Sequence, residues 1–227
     1  MAVQLGFELP ARAALGRDDF MVAPSNAVAL AMIDNWQNWP LAKLALTGPA
    51  GSGKSHLTHV WASDSGARII SAVDLDSYDL DSLAHQPIAV ESIEDIRENL
   101  SNQTALFHLH NLLQSAGLPL LMTGVKAPNL WGLSLPDLQS RVDAAGHAAL
   151  DPPDDILLGA VMAKLFADRQ LTPKADVIPY LVTRMERSFA AARQIVVALD
   201  NLSLARQKPI TRKLASELLD KSTRPEG

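Results

Sequence analysis

Cysteine is absent from all 227 residues. That excludes a disulfide framework and any thiolate metal site, and it fits a reducing compartment. Long apolar runs are also missing, and no stretch reaches transmembrane length without interruption. Residues 1–10 show neither the basic start nor the apolar run of a signal peptide. We therefore expect a soluble, cytoplasmic protein without membrane association. Excess positive charge is lacking too: the formal net charge is -5. A protein held on DNA by its own phosphate contacts is usually basic, so DNA contact is expected to be indirect only.

What is present is apolar material, 48% of the chain, enough for a substantial core. Charge is uneven. Residues 71–100 hold eight acidic side chains and one basic, Arg97, whereas residues 201–227 hold six basic and three acidic. Either two solvated faces or a partner surface would read this way. Residues 1–16 lack periodicity and read as a flexible tail. Ser25 stands where a cap would start a helix running to about Trp36. Short apolar strands are expected at 43–47, 67–71, 87–90 and 118–123, with helical patterns at 93–100 and 104–115 between them. Strands alternating with helices imply an α/β fold with a parallel sheet flanked by helices, spanning residues 17–151. Beyond Asp151-Pro152-Pro153 only helical patterns occur, at 154–168, 173–184, 188–204 and 211–220. Residues 152–227 therefore read as a small all-helical domain, with Pro173 and Thr211 at helix starts.

The strongest motif is Gly48-Pro49-Ala50-Gly51-Ser52-Gly53-Lys54-Ser55, which meets every fixed position of the phosphate-binding loop. Glycines let backbone N–H groups turn toward phosphates. Lys54 reaches the terminal phosphates, Ser55 offers a hydroxyl to Mg²⁺, and the helix that follows aims its positive end at the anion. Such a site needs a second acid at the end of another apolar strand. Ile88-Ala89-Val90-Glu91-Ser92 supplies Glu91. Ser92 then stands where many ATPases keep a catalytic glutamate, and a serine is no general base at neutral pH without help. Glu94 and Asp95 are alternatives, offset from the strand end, or they form a solvated helix start.

Other signals are weaker. His108 and His110 fall on different helix faces and suggest no metal site. The run Asp74-Leu-Asp76-Ser-Tyr-Asp79-Leu-Asp81 lacks the glycine and glutamate of a calcium loop and reads as surface. Trp36, Trp39, Trp61 and Trp131 suit core or lid packing better than base stacking.

Several segments together resemble the DnaA-related AAA+ ATPases. Phe20-Met-Val-Ala-Pro-Ser-Asn26 resembles the segment that opens their ATPase domain on the adenine side. Gly53-Lys54-Ser55-His56-Leu57 resembles their phosphate loop. Phe107-His108-Leu109-His110-Asn111 resembles an FHxxN segment, and Leu121-Met122-Thr123-Gly124 the strand bearing the sensor 1 polar residue. Leu138-Gln139-Ser140-Arg141 resembles the segment bearing the arginine finger. Ala192-Arg193-Gln194-Ile195 resembles the lid helix with its sensor 2 arginine. The likeness covers residues 18–221. It implies a P-loop AAA+ core followed by a helical lid, and ADP or ATP with Mg²⁺ as cofactors. It implies nucleotide contacts from Val22, Asn26, Gly48, Pro49, Ala50, Gly51, Ser52, Gly53, Lys54, Ser55, His56, Thr123 and Arg193. Mg²⁺ would fall to Ser55 and Glu91. Arg141 would act as a finger in trans.

The chain ends after the lid-like segment, where DnaA carries a DNA-binding domain, and this layout resembles the Hda-like regulators. Their activity implies DnaA and the DNA polymerase III sliding clamp as partners, with hydrolysis of DnaA-bound ATP promoted on the clamp. Gln4-Leu5-Gly6-Phe7-Glu8-Leu9 resembles a clamp-binding motif, with Gln4, Leu5, Phe7 and Leu9 as contacts; an extra strand is the other reading. Intrinsic hydrolysis is expected to be weak. An autonomous AAA+ ATPase, assembling as a homo-oligomer, and a helicase-loader relative are the competing readings.

Overall fold

A computed structural model describes residues 16–17 and 20–222 of the chain. Its centre is a five-stranded sheet in the order β2-β3-β4-β1-β5, parallel throughout. The strands are β1 (Lys43–Thr47), β2 (Arg68–Ser71), β3 (Ile88–Glu91), β4 (Leu120–Gly124) and β5 (Gly146–Ala149). Every residue of β1 and β4 is buried, as expected for strands covered on both faces. Leu44 pairs with Leu121 and Ala45 with Met122, so the side chains alternate between two cores. Leu44, Leu46, Leu121 and Ala148 pack under α1 (Ala27–Asp34) and α2 (Lys54–Ser65). Ala45, Val90, Leu120 and Met122 pack under α4 (Leu100–Ser115) and α5 (Pro136–Asp143), with the short α3 (Leu80–Leu83) at the rim.

After β5 the chain is helical: α6 (Asp155–Asp168), α7 (Val177–Val182), α8 (Phe189–Arg206) and α9 (Arg212–Ser222). These helices enclose their own core of Leu158, Met162, Phe166, Leu181, Val196 and Leu214. The expected α/β fold with a trailing helical unit is therefore what the chain adopts.

Five local expectations are corrected. β5 went unseen in the sequence, because Gly-His-Ala-Ala has neither alternation nor β-branched residues. The helix expected over 93–100 is a single 3-10 turn, Ile93–Ile96. The next helix starts early instead, at Leu100, where the Asn99 side chain accepts from the Asn102 N–H. Pro173 opens no helix: the Lys174 N–H donates to the Ile210 carbonyl, and α7 begins only at Val177. Ser25 does not cap α1; Asn26 occupies that position.

Tryptophan and amide side chains fasten the layers. Trp39 stacks on Trp61 with centroids 5.2 Å apart and donates to the Met32 carbonyl. Trp131 lies so close to β4 that a Cβ on Gly124 would come within 2.4 Å of its indole nitrogen, so only glycine fits there. Gln103 is fully buried and fully engaged. It donates to the Ile96 and Arg97 carbonyls and accepts from the Ser134 and Leu135 N–H groups.

Two basic side chains, Lys43 and His110, are buried toward the amino-terminal edge of the sheet. Lys43 is 0% exposed, donates to the Leu118 carbonyl, and is pushed by burial down to about 8. His110 on α4 is 2% exposed, and neither ring nitrogen has a hydrogen-bond partner. Burial first, then the charges of Lys43 and Arg141, holds it down at about 4 instead of 6.5. The folded chain thus binds fewer protons than the unfolded one between these two values. Stability should fall as pH drops from 6.5 to 4, by up to about 3 kcal/mol from this residue. Urea unfolding of the parent and of His110→Leu across that range should show a shallower acid slope in the variant. Equal slopes would show that His110 takes up its proton without cost.

Candidate functional site

The carboxyl ends of the strands form one edge of the sheet, and the phosphate-loop sequence leaves β1 there. Residues 48–53 turn through left-handed conformations at Gly48 (φ 153), Gly51 (φ 72) and Gly53 (φ 101), and Lys54 opens α2. The Lys54 ammonium folds back, donating to the Gly48 carbonyl at 2.7 Å and the Pro49 carbonyl at 3.0 Å. Its pKa is lowered by burial, against the opposing pull of Glu94 and then Glu91. Ser55 is exposed in the first turn of α2, and Ala50 is exposed at the loop tip. Ser52 is buried, with its hydroxyl unpartnered. The Gly48 N–H donates to the Gly124 carbonyl, tying the loop to β4.

The second acid stands on the same edge. Glu91 ends β3, half-buried, and Ser92 follows in a left-handed conformation (φ 62, ψ 52). For a non-glycine residue that conformation is uncommon. The Ser92 N–H donates to the Thr123 hydroxyl at 3.2 Å, which places Thr123 between the two strand ends. Thr123 is 2% exposed. Glu94 is not available as a base: its two oxygens accept from the Val125 N–H at 2.6 Å and the Lys126 N–H at 2.7 Å. It clamps the segment after β3 to the loop after β4. Sequence reasoning missed this role, since 31 residues separate Glu94 from Val125.

Ser55 and Glu91 are hard oxygen donors on the edge where Lys54 sits, a donor chemistry that suits Mg²⁺. On the side of the amino-terminal segment, Val22 is exposed. Asn26 is 4% exposed and spent on its own turn, donating to the Met21 carbonyl and accepting from the Ala23 N–H. It shapes the segment that carries Val22. His56 is hydrogen-bonded to the Gly16 carbonyl and meets the Phe20 ring edge-on at 5.2 Å.

The helical unit reaches this edge through α8. The Phe189 N–H donates to the Gly51 carbonyl at 2.9 Å. A Cβ on Gly51 would lie 2.6 Å from Ser188 Cβ, so a variable position of the loop motif is fixed as glycine by the lid. The Phe189 ring covers Gly53. Arg193 is exposed one turn further along α8, on the face of Phe189.

Arg141 lies elsewhere. α5 runs back toward the amino-terminal edge, and β5 begins at Gly146, beside Leu44. Arg141, in the last turn of α5, stacks its guanidinium over the Phe107 ring at 4.9 Å, with its Nε buried and unpartnered. Arg141 thus sits against α4, at Phe107 and near the buried His110. Gln4, Leu5, Phe7 and Leu9 lie outside the described residues.

No family model matches the chain. Among solved structures it is similar to domain III of the replication initiation protein DnaA from Thermotoga maritima. The TM-score is 0.81 at 18% identity, over 95% of this chain and 100% of that one. The chain has the DnaA-like AAA+ fold. It is similar also to DnaA from Aquifex aeolicus bound to AMPPCP, with TM-score 0.69 and 14% identity over 81% of this chain and 64% of that one. A third is the RuvB Holliday junction branch migration motor of Thermotoga maritima, with TM-score 0.69 and 16% identity over 90% and 71%. At these identities the fold is what is shared. Among the described residues no helix is long and apolar enough to cross a membrane.

Two substitutions probe the loop. Lys54→Ala should abolish ADP binding measured by calorimetry, with the thermal melt retained. Gly51→Ala should weaken ADP binding less severely and lower stability by at least about 1 kcal/mol, because alanine is strained at positive φ and its Cβ would press on Ser188. Unchanged ADP affinity in Lys54→Ala would remove the phosphate role of this loop.

Proposed function

We propose that the chain is a nucleotide-binding regulator of chromosome replication initiation of the Hda type. With ADP or ATP and Mg²⁺ in the loop, it docks on the sliding clamp and offers Arg141 to ATP bound by DnaA, promoting hydrolysis there. The observation that carries this reading is the position of Arg141. It sits against Phe107 of α4, near the buried His110, and in this reading it serves a nucleotide held by another molecule. A finger supplied in trans stabilises the charge of the transition state and raises hydrolysis by roughly 10³ to 10⁵ where such fingers operate.

The chain's own site supports a regulator over a motor. Ser92 follows Glu91 in place of a base, and Glu94 has both oxygens engaged by backbone N–H groups. Water activation in this chain should therefore be poor. The similarity to DnaA structures, one of them bound to AMPPCP, supports an adenine nucleotide as ligand. Nucleotide would be held by the loop residues Gly48 to Ser55 and His56. Val22 and Asn26 shape the base side, Thr123 reads the phosphates, and Arg193 reaches in from the lid. When bound, Mg²⁺ would screen phosphate charge between Ser55 and Glu91. Gln4, Leu5, Phe7 and Leu9 are proposed as the clamp anchor, because apolar side chains seated in a pocket carry most of a short peptide's affinity.

The deciding experiment is stimulation of DnaA-bound ATP hydrolysis on clamp-loaded DNA. Arg141→Ala should keep ADP binding and clamp binding yet fail to stimulate; full stimulation by the variant would remove the finger. Gln4→Ala/Leu5→Ala should lose clamp binding in a pull-down while retaining nucleotide, and retention of the clamp would dismiss the tail as anchor. Phosphate release by the isolated chain should be slow. Steady turnover on the order of 10 s⁻¹, a common enzyme value, would favour an autonomous ATPase instead.

A further inference from the structure

Two exposed patches of opposite sign lie on different parts of the chain. The first is an open groove of about 560 Å³ between α4 and the segment leading into α3, lined by Leu75, Tyr78, Leu80, Leu100, Ala105 and His108. Leu100 is 57% exposed, an apolar side chain of α4 that nothing covers within the described residues. The segment forming one wall carries four exposed aspartates in eight residues, Asp74, Asp76, Asp79 and Asp81. Arg68, stacked over the Tyr78 ring at 5.1 Å, is the base that borders it.

The second patch is the corner where α8 ends and α9 begins. Leu204, in the last turn of α8, is 71% exposed. The following residues carry four basic side chains, Arg206, Lys208, Arg212 and Lys213, against one acid before residue 218, Glu217. The hydrogen bond from Arg206 holds the Glu217 carboxyl below its usual range, and the charges of Lys213 and Lys208 act in the same sense. One carboxylate is shared among three bases, which leaves the corner cationic. Arg193, Val197, Asn201 and Leu204 are spaced so that they fall on one face of α8, and all four are exposed. The corner is thus the far end of a ridge that begins at the lid arginine.

We propose that the α3–α4 groove of one copy receives the Leu204 corner of a second copy. The apolar knob matches the apolar floor, and its basic rim matches the acidic wall. Charge complementarity of this kind sets register and encounter rate, while the buried leucine supplies affinity. The two patches are different surfaces, so the contact is head-to-tail and leaves a free groove at one end of a pair and a free knob at the other. It depends on surface chemistry alone and stands apart from the role assigned to Arg141.

Sedimentation equilibrium of the full chain tests it, from micromolar concentration upward and at low and high salt. Reversible association that weakens with salt is expected, because exposed charges are screened. Leu204→Asp, and separately Asp76→Lys/Asp79→Lys, should each weaken association at least about tenfold, the worth of one buried leucine or less. Mixing these two variants should restore one-to-one dimers and nothing larger, since each supplies the half the other lacks. Circular dichroism melts confirm that both fold. A parent that stays monomeric overturns the proposal. So does a mixture that fails to dimerise, or a groove variant that loses assembly while Leu204→Asp keeps it, which would assign the groove to a different basic partner.

Discussion

The Phe189 N–H and the Gly51 carbonyl meet at 2.9 Å, and the phosphate-loop edge of the molecule depends on that contact. It binds the first residue of α8 to the tip of the phosphate loop. Ser188 is pressed against the Gly51 Cα, and the Phe189 ring covers Gly53. An anion entering the loop would compete with the Gly48 and Pro49 carbonyls for Lys54, next to the Gly51 carbonyl that seats α8. The loop's conformation and the seat of the lid are thereby joined through three residues.

The acidic side of the edge is held with equal economy. The left-handed turn at Ser92 brings its N–H to Thr123, and Glu94 then grips the loop that follows Gly124. β3 and β4 leave the sheet as one fastened unit. Glu94, which makes this possible, is a carboxylate two residues past Ser92, and both of its oxygens are engaged. Its structural duty and the serine at position 92 leave neither position 92 nor position 94 with a free carboxylate.

How much of this was legible in the sequence follows from the range of each interaction. The phosphate loop was plain, because its chemistry is written in contiguous backbone requirements. The parallel sheet was plain through the buried runs of β1, β3 and β4. β5 was not, since Gly146–Ala149 owes its strand conformation to the neighbouring Leu44–Thr47 rather than to its own residues. The 3-10 turn at Ile93–Ile96 and the late start of α7 were likewise set by partners far along the chain, Val125 and Lys126 in one case and Ile210 in the other. Gly51 fills a variable position of the motif, and the packing of Ser188 explains why it is glycine. Arg141 was found by resemblance, but its seat on Phe107 needed the fold.

The distribution of tryptophan has an optical consequence. Trp36, Trp39, Trp61 and Trp131 all precede α6, and Trp61 and Trp131 are almost completely shielded from solvent. Indole emission is therefore a property of the sheet-bearing part of the molecule, blue-shifted while its cores stay dry. The helices after β5 contain none. If they loosen before the sheet melts, fluorescence stays silent while far-ultraviolet ellipticity falls, and the gap between the two signals measures how far the lid has come undone.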